Sequence, residues 1–148
     1  MVNASIEILL SELVDSTHRL ARIATIETGD TTSAATWRTL GALEGSGPVR
    51  IGELAAASRV TQPTMTGLVA SLVKAGWVQR VPDPQDARAG LVAITDAGLD
   101  AVESWRMKAG AAMAPYFADL SDEEAAALAT VVSLLNRRTA SADSHLTV

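Results

Sequence analysis

Three polar side chains at the start of one predicted helix have the chemistry needed to read duplex DNA. Gln62 carries an amide that can pair with both hydrogen-bonding groups of an adenine edge, and Thr64 and Thr66 each offer a hydroxyl and a methyl group. Thr61 can cap this helix, and Pro63 suits its first turn, where a missing N–H removes no helical hydrogen bond. We therefore expect an exposed, polar helix N-terminus that can enter a major groove.

A second group of residues with DNA-binding chemistry lies in a polar loop at residues 82–90. The loop is rich in turn-forming residues and is flanked by two extended segments, which predicts a β-hairpin with a long tip. Arg88 can enter the narrow minor groove, where the electrostatic potential is most negative. Asp86 lies two residues earlier, so on an extended strand it can face the same way and hold the Arg88 guanidinium in position.

The spacing of apolar residues predicts the elements that position these groups. The fold class is mainly α with a small β-hairpin wing (α+β), in which a short helix, a tight turn, a capped second helix and a hairpin form a winged helix-turn-helix. Helices are predicted over residues 6–26, 33–45, 52–58, 61–76, 96–113 and 121–138, with extended segments at 49–51, 77–81 and 91–94; Pro115 should kink or end the fifth helix, and the tail after residue 138 should be frayed.

At these residues the sequence resembles the MarR family of bacterial regulators. The resemblance implies that Gln62, Thr64 and Thr66 read the major groove, that Arg88 reads the minor groove, and that Asp86 orients Arg88. One residue departs from the family pattern, because Gly67 stands where many members place an arginine. The segments that carry the resemblance are residues 51–55, 60–66, 72–78, 83–88 and 91–98.

The resemblance spans nearly the whole chain and predicts its organisation. Residues 1–148 form a single domain, with a DNA-binding lobe at 33–95 and a helical dimerisation lobe at 5–28 and 96–138. The terminal helices would pair two subunits. This agrees with the number of apolar side chains on these helices, which is larger than one small lobe can cover. Examples of these side chains are Leu9, Leu13, Leu128, Val132 and Leu135.

The charge distribution gives weaker support for DNA binding. The chain has a net charge of -5, yet residues 50–88 hold five basic and three acidic side chains, a balance of +2 that leaves -7 on the remainder. An acidic body can therefore carry a locally basic face. Arg50, Lys74 and Arg80 are candidate phosphate contacts within this segment.

Five residues are candidates for binding a small effector. The family often binds aromatic or anionic molecules between its helical and DNA-binding lobes, and this chain places aromatic and cationic groups on the first, second and fifth helices. A tryptophan at helical spacing is nevertheless more often part of the core than of a ligand pocket. The candidates are His18, Arg22, Trp37, Arg38 and Trp105.

Composition excludes several other functions. The chain has no cysteine and therefore no disulfide, thiolate metal site or thiol switch. His18 and His145 are too far apart in sequence to suggest a metal site, and no cofactor-binding loop or convincing serine–histidine pair indicates an enzyme. No apolar run is long enough for a membrane span and no basic signal sequence begins the chain, so we expect a cytoplasmic protein.

The function predicted is sequence-specific regulation of transcription by a homodimer on an inverted-repeat operator, with repression the commoner behaviour in the families it resembles. An effector would act by changing the spacing of the two recognition helices. The alternative is a winged-helix module that binds protein partners and lacks specific DNA affinity, which the acidic total and Gly67 make conceivable. DNA binding by the purified chain distinguishes the two.

Overall fold

The structure, a computed structural model, describes residues 5–86 and 88–143. The elements follow the predicted order with boundary shifts of a few residues. No helix in this described part is both long and apolar enough to cross a membrane. The helices are α1 (Ile6–Thr28), α2 (Ala34–Ser46), α3 (Ile51–Ala57), α4 (Gln62–Lys74), α5 (Asp96–Met113) and α6 (Asp122–Asp143), and the strands are β1 (Val49–Arg50), β2 (Val78–Pro82) and β3 (Gly90–Ile94).

Local capping groups explain where the helices begin and end. Gly29 ends α1 in the left-handed conformation at φ 62°, which glycine adopts without steric cost. The Ser33 hydroxyl accepts the Thr36 N–H at 3.2 Å and begins α2. Ser121 and Glu124 form the predicted capping box of α6, and the Ser121 backbone N–H, followed by its hydroxyl, lowers the pKa of Glu124.

The C-terminal part of the chain differs in detail from its predicted form. The helix α5 ends at Met113 and a single turn of 3-10 helix, Ala114–Phe117, contains Pro115. The helix α6 continues to Asp143, into the tail that was predicted to be frayed after residue 138. His145, which the sequence analysis placed in that tail, lies outside the described residues, as does Ala87 in the wing loop.

The chain divides into two compact units, and α5 contributes to both. One unit contains α1, the part of α5 from Trp105 onward and the 3-10 turn; Ala24 and Ala109 are buried within it. Here the Tyr116 hydroxyl donates to the Glu27 carboxylate at 2.6 Å, which raises the pKa of Tyr116. The other unit contains α2, α3, α4, the sheet, the start of α5, and α6, which the sequence analysis had grouped with α1.

The second unit, which we call the winged unit, contains the main hydrophobic core. Its sheet has the order β1-β3-β2 with both pairings antiparallel, so β3 is central and joins the hairpin to the short strand before α3. The predicted hairpin is thus confirmed, and β1 adds a third strand to it. The largest fully buried side chains are Leu40, Leu43, Leu54, Met65, Val69, Val92 and Thr39.

One buried polar pair ties α2 to the turn of the helix-turn-helix. The Thr39 and Ser58 hydroxyls lie 3.2 Å apart, and both residues are buried. Burying hydroxyl groups is costly unless they are hydrogen-bonded to each other or to a neighbour. Arg59, next in the turn, has a φ of 54°, a left-handed conformation that is uncommon outside glycine. The turn between α3 and α4 is therefore fixed from inside by a hydrogen bond.

The start of α5 approaches the backbone before β2 so closely that only glycine fits. A Cβ added at Gly98 would lie 2.1 Å from the Trp77 carbonyl oxygen and 2.7 Å from Cγ1 of Ile94. Thr95 holds this junction, since its hydroxyl donates to the Gly76 carbonyl at 2.6 Å and accepts the Gly98 N–H at 3.1 Å. Close packing at Gly98 thus sets where α5 leaves the sheet.

We expect Gly98→Ala to destabilise the protein by about 3 kcal/mol, because the new methyl group meets backbone that no side-chain rotation can clear. Gly110→Ala is the matched control in the same helix, where a Cβ meets nothing within 4 Å. It should be stabilising by roughly 0.5–1 kcal/mol through higher helix propensity. Urea unfolding of both variants measures this difference, and equal midpoints for the two would contradict the proposed close approach.

Candidate nucleic-acid interface

The helix α4 has one face in the core and the other in solvent. Met65 and Val69 are completely buried and Leu72 nearly so. Gln62, Thr64 and Thr66 are all exposed. Gln62 and Thr64 precede Met65, the first buried residue of α4, so they lie at the end of the helix that the core does not cover, and Thr66 is exposed beside them. The structure therefore places the three candidate base contacts together on one accessible helix end.

Hydrogen bonds within α4 limit what each of these groups can offer. The Thr66 hydroxyl donates to the Gln62 carbonyl at 2.9 Å, which leaves its lone pairs and its methyl group for a ligand. The Thr64 and Thr61 hydroxyls pair at 2.8 Å. Thr61 also accepts the Thr64 N–H at 3.4 Å, as its predicted capping role requires. Both threonine candidates are thus partly used in stabilising the start of the helix.

Gln62 retains its full side-chain hydrogen-bonding capacity. Its amide forms no hydrogen bond with any described residue, although it lies close to the start of α3, where a Cβ at Gly52 would be 3.5 Å from Oε1 of Gln62. A free amide can donate and accept at once, as pairing with an adenine edge requires. Gln62 is therefore the strongest candidate for base recognition among the three.

The wing places Arg88 in solvent, but Asp86 acts on it differently from the prediction. Oδ1 of Asp86 accepts the backbone N–H of Arg88 at 3.0 Å, and the Asp86 carbonyl accepts the Ala89 N–H at 3.0 Å. Within the described residues Asp86 makes no bond to the Arg88 guanidinium, so the predicted side-chain pairing is replaced by a backbone turn. This geometry arises because a short aspartate side chain reaches the amide two residues on. The guanidinium remains available to a ligand.

Arg50 forms an ion pair that the sequence analysis did not predict. Its Nε donates to Oδ2 of Asp83 at 2.9 Å and its Nη2 lies 2.7 Å from the same oxygen. The Asp83 side chain is only 5% exposed, whereas that of Arg50 is 47% exposed. The Gln85 backbone N–H, and secondly Arg50, lower the pKa of Asp83, and Asp83 raises the pKa of Arg50. The predicted phosphate contact by Arg50 would thus have to share this guanidinium with Asp83.

The pairing of Asp83 with Arg50 could not be predicted from the sequence because the two residues are 33 positions apart. Their juxtaposition depends on the pairing of β1 with β3, which places Arg50 opposite Leu91. The pairing of β2 with β3 brings Pro82 opposite Gly90, and Asp83 follows directly. The signal available in the sequence was the presence of two aspartates, Asp83 and Asp86, in a loop expected to bind DNA.

The candidate phosphate contacts are distributed unevenly. A cleft of about 560 Å³ lies between the start of α3, the start of α4 and the sheet, and it brings together Arg50, Gln62 and Arg80. Arg80 is exposed on β2 and forms no hydrogen bond or ion pair with the described residues. Lys74 is exposed in the last turn of α4, away from this cleft. Gly67, the departure from the family pattern, faces open space.

The five effector candidates fall in different units. His18 and Arg22 are exposed on α1, and Trp105 is half-buried on α5. Trp37 and Arg38 belong to α2 of the winged unit, where the Trp37 ring stacks on Trp77 with centroids 5.7 Å apart. Trp37 also packs against the core, which gives it a structural role; its part in effector binding stays a prediction.

Comparison with known proteins places a family match on the part of the chain that carries the candidate interface. The sequence model of the MarR family matches residues 30–89, which extend from α2 to the wing. HTH-type transcriptional regulators of Mycobacterium bovis and Mycobacterium tuberculosis are each 33% identical over 93 residues, or 63% of this chain. The matched region covers 65% of the length of each relative. In agreement with the prediction that the chain is not an enzyme, these relatives are named as regulators.

The likeness to solved structures extends over most of the chain. A transcriptional regulator from Thermotoga maritima is 25% identical, with a TM-score of 0.70 over 90% of this chain and 94% of its own. The apo form of MarR from Escherichia coli shares the fold at 22% identity, with a TM-score of 0.64 over 89% of this chain and 97% of its own. The predicted fold class is confirmed. The family match falls on the helix-turn-helix and wing and the fold agrees along the chain, so residues 30–89 are similar to the MarR family and the chain shares the fold of its solved structures.

Proposed function

We propose that this protein is a homodimeric, sequence-specific DNA-binding regulator of transcription. The observation that carries the proposal is the exposed N-terminus of α4, where Gln62, Thr64 and Thr66 are accessible to solvent while Met65 and Val69 anchor the helix in the core. An α-helix held in this way fits the major groove, whose base edges differ for each base pair. The names of the relatives as HTH-type transcriptional regulators support the same conclusion.

The wing supplies a second contact of a different kind. Arg88 is exposed near the hairpin tip, and its side chain is not engaged by Asp86. A guanidinium in the minor groove reads groove width and negative potential, whereas α4 reads base edges. Together they give one subunit a specificity-determining contact and an electrostatic one. Arg80 and Lys74 add candidate phosphate contacts.

The surfaces of α1 and α6 support assembly as a dimer. On α1, Ile6, Leu9 and Val14 are at least half exposed, and on α6 Leu128 is 48% and Val132 49% exposed. Leu13 and Leu135, which the sequence analysis also assigned to the interface, are half-buried. Such series of exposed aliphatic side chains are unfavourable in water unless another surface covers them. A second copy of this chain would cover them and present two recognition helices to DNA.

A symmetric dimer determines the form of the operator. Two α4 helices related by a two-fold axis meet successive major grooves, so the site should be an inverted repeat with half-sites about 10 base pairs apart. A dimer bound within a promoter would exclude polymerase, and we propose repression on this ground. A small aromatic or anionic effector that changes the separation of the two helices would release it.

Selection of bound fragments from the source genome, followed by footprinting, tests the proposal. We expect enrichment of inverted repeats and protection of both half-sites. Protection of one asymmetric half-site would contradict the dimeric mode. Failure of the purified dimer to prefer any fragment over random DNA would favour the alternative of a protein-interaction module.

We expect Leu9→Glu and Val132→Glu each to weaken dimerisation, because a charge would be buried between subunits without a partner. Light scattering across a dilution series should show a monomer at concentrations where the unmodified chain is dimeric. Val73→Glu is the matched control, since Val73 is an exposed aliphatic residue of α4, outside the proposed interface. A wild-type chain that is a folded monomer at micromolar concentration would overturn the dimer.

Arg88→Ala should weaken operator binding and make its salt dependence shallower while leaving the fold intact. The dimer would lose two cationic contacts, so the slope of log K against log salt should fall by about two charges' worth. Lys108→Ala removes an exposed charge from α5 and should leave the slope unchanged. Titration at several salt concentrations measures both. An unchanged slope for Arg88→Ala would remove the wing from the DNA contact.

Gln62→Ala should relax base preference more than it weakens binding to random DNA. The amide contacts a base edge in the proposed complex, and base contacts specify sequence where phosphate contacts do not. Operator and scrambled duplexes titrated side by side give the specificity ratio, with Arg88→Ala for comparison. An equal loss on both duplexes would assign Gln62 to the DNA backbone instead.

A further inference from the structure

We propose that Arg50 and Asp83 form a clamp that holds the wing in its DNA-binding position, so that Arg50 acts as a positioning residue through Asp83 rather than as a phosphate contact. The inference rests on the proposed DNA-binding function and assigns two further residues to it. The ion pair joins the start of α3, which leads into the recognition helix α4, to the base of the wing loop. Four observations support it.

Arg50 is fixed to the helix-turn-helix by its backbone. It is the last residue of β1 and immediately precedes α3, and its N–H donates to Oε2 of Glu53 at 3.1 Å. The helices α3 and α4 then pack through Leu54 and Met65, both buried in the same core. The Cα of Arg50 therefore moves with the recognition helix.

Asp83 is fixed to the wing by a separate set of bonds. It follows the last paired residue of β2, and its own N–H donates to the Ala89 carbonyl at 3.4 Å, which closes the loop at its base. Oδ1 of Asp83 accepts the Gln85 N–H at 2.9 Å. The Asp83 side chain thus holds the start of the wing loop at Gln85.

The two anchored residues meet through a forked contact on a buried oxygen. Nε and Nη2 of Arg50 both approach Oδ2 of Asp83, while Oδ1 is already satisfied by Gln85. A buried carboxylate that loses its cation is strongly destabilised, so the contact disfavours wing positions in which the pair is separated. If the Arg50 guanidinium turned toward a phosphate, the buried Asp83 carboxylate would lose its cation.

The sign of the Asp83 charge is the fourth observation. A carboxylate at the base of a DNA-contacting loop repels phosphates, and it weakens DNA binding unless it also has a positioning role that compensates for the repulsion. Removing it should therefore tighten DNA binding if electrostatics alone mattered. A clamp predicts the opposite, because the loop that carries Arg88 would lose its fixed position. The direction of the change in DNA affinity therefore distinguishes a clamp from simple electrostatic repulsion.

The test uses the full-length protein and a duplex obtained from the selection experiment. Asp83→Asn keeps the shape of the side chain and the acceptor for Gln85 but removes the charge that holds Arg50. We expect operator binding to weaken roughly tenfold, which corresponds to losing one charge-assisted hydrogen bond. Asp100→Asn, the same change on the exposed part of α5, is the control and should not weaken binding. Binding by Asp83→Asn that equals or exceeds the wild type would overturn the clamp.

Two double variants test how the residues act on each other. Arg50→Gln should weaken binding in the wild type but add little in the Asp83→Asn background, since Arg50 acts through Asp83. Arg88→Ala should likewise cost much less in the Asp83→Asn background, because the guanidinium is already misplaced. Losses that multiply in either double variant would show independent DNA contacts and would reject the inference.

Two further measurements keep the outcomes separate. Thermal unfolding of Asp83→Asn should show a folded protein, and binding is compared at a temperature well below its midpoint. If the wild-type chain prefers no duplex, the proposed function fails and not the clamp. The clamp then has a readout in the free protein, where Asp83→Asn should speed amide hydrogen exchange at Ala89 and Arg88 relative to wild type. Unchanged exchange there would count against it.

Discussion

Burial of one face of α4 is the constraint on which the candidate base contacts of this protein depend. Met65, Val69 and Leu72 fill the core between α2, α3 and the sheet, and they leave the helix no freedom to rotate about its axis. Side chains on the opposite face therefore have a fixed direction before any ligand arrives. Such preorganisation limits the entropy lost on binding, and it is supplied here by the same apolar burial that stabilises the unit.

The polar side chains of the winged unit divide into those that build the interface and those that remain free for a ligand. Thr61 caps α4, Asp86 closes a backbone turn, and Asp83 is buried under Arg50. Gln62 and Arg80 form no side-chain hydrogen bond with described residues. The acidic residues in this region thus serve the protein's own geometry, which explains how a DNA-binding face can include carboxylates.

A net charge of -5 is compatible with DNA binding because the field near a surface depends on local charges. At physiological salt, charges separated by more than about 8 Å are largely screened from one another. The acidic residues of the rest of the chain therefore weigh less at the wing than Arg80 or Arg88 does.

The sequence by itself determined the elements and the exposed ends of the candidate site. Periodicity, caps and turn residues act over a few positions, so α4 with its Thr61 cap, the hairpin, and the α6 capping box could be predicted from neighbouring residues. The exposure of Gln62, Thr64 and Thr66 followed from their place at the predicted start of α4. The family resemblance added the order in which these elements assemble.

Only the tertiary structure decided which distant residues meet. The pairing of β1 with β3 brings Arg50 to Asp83, and it depends on how the hairpin packs on α2 and α4 rather than on any local pattern. For the same reason the stack of Trp37 on Trp77 and the fit of Gly98 against the Trp77 carbonyl were not predicted. Contacts between residues far apart in sequence depend on the packing of the whole core, which no short segment of sequence encodes.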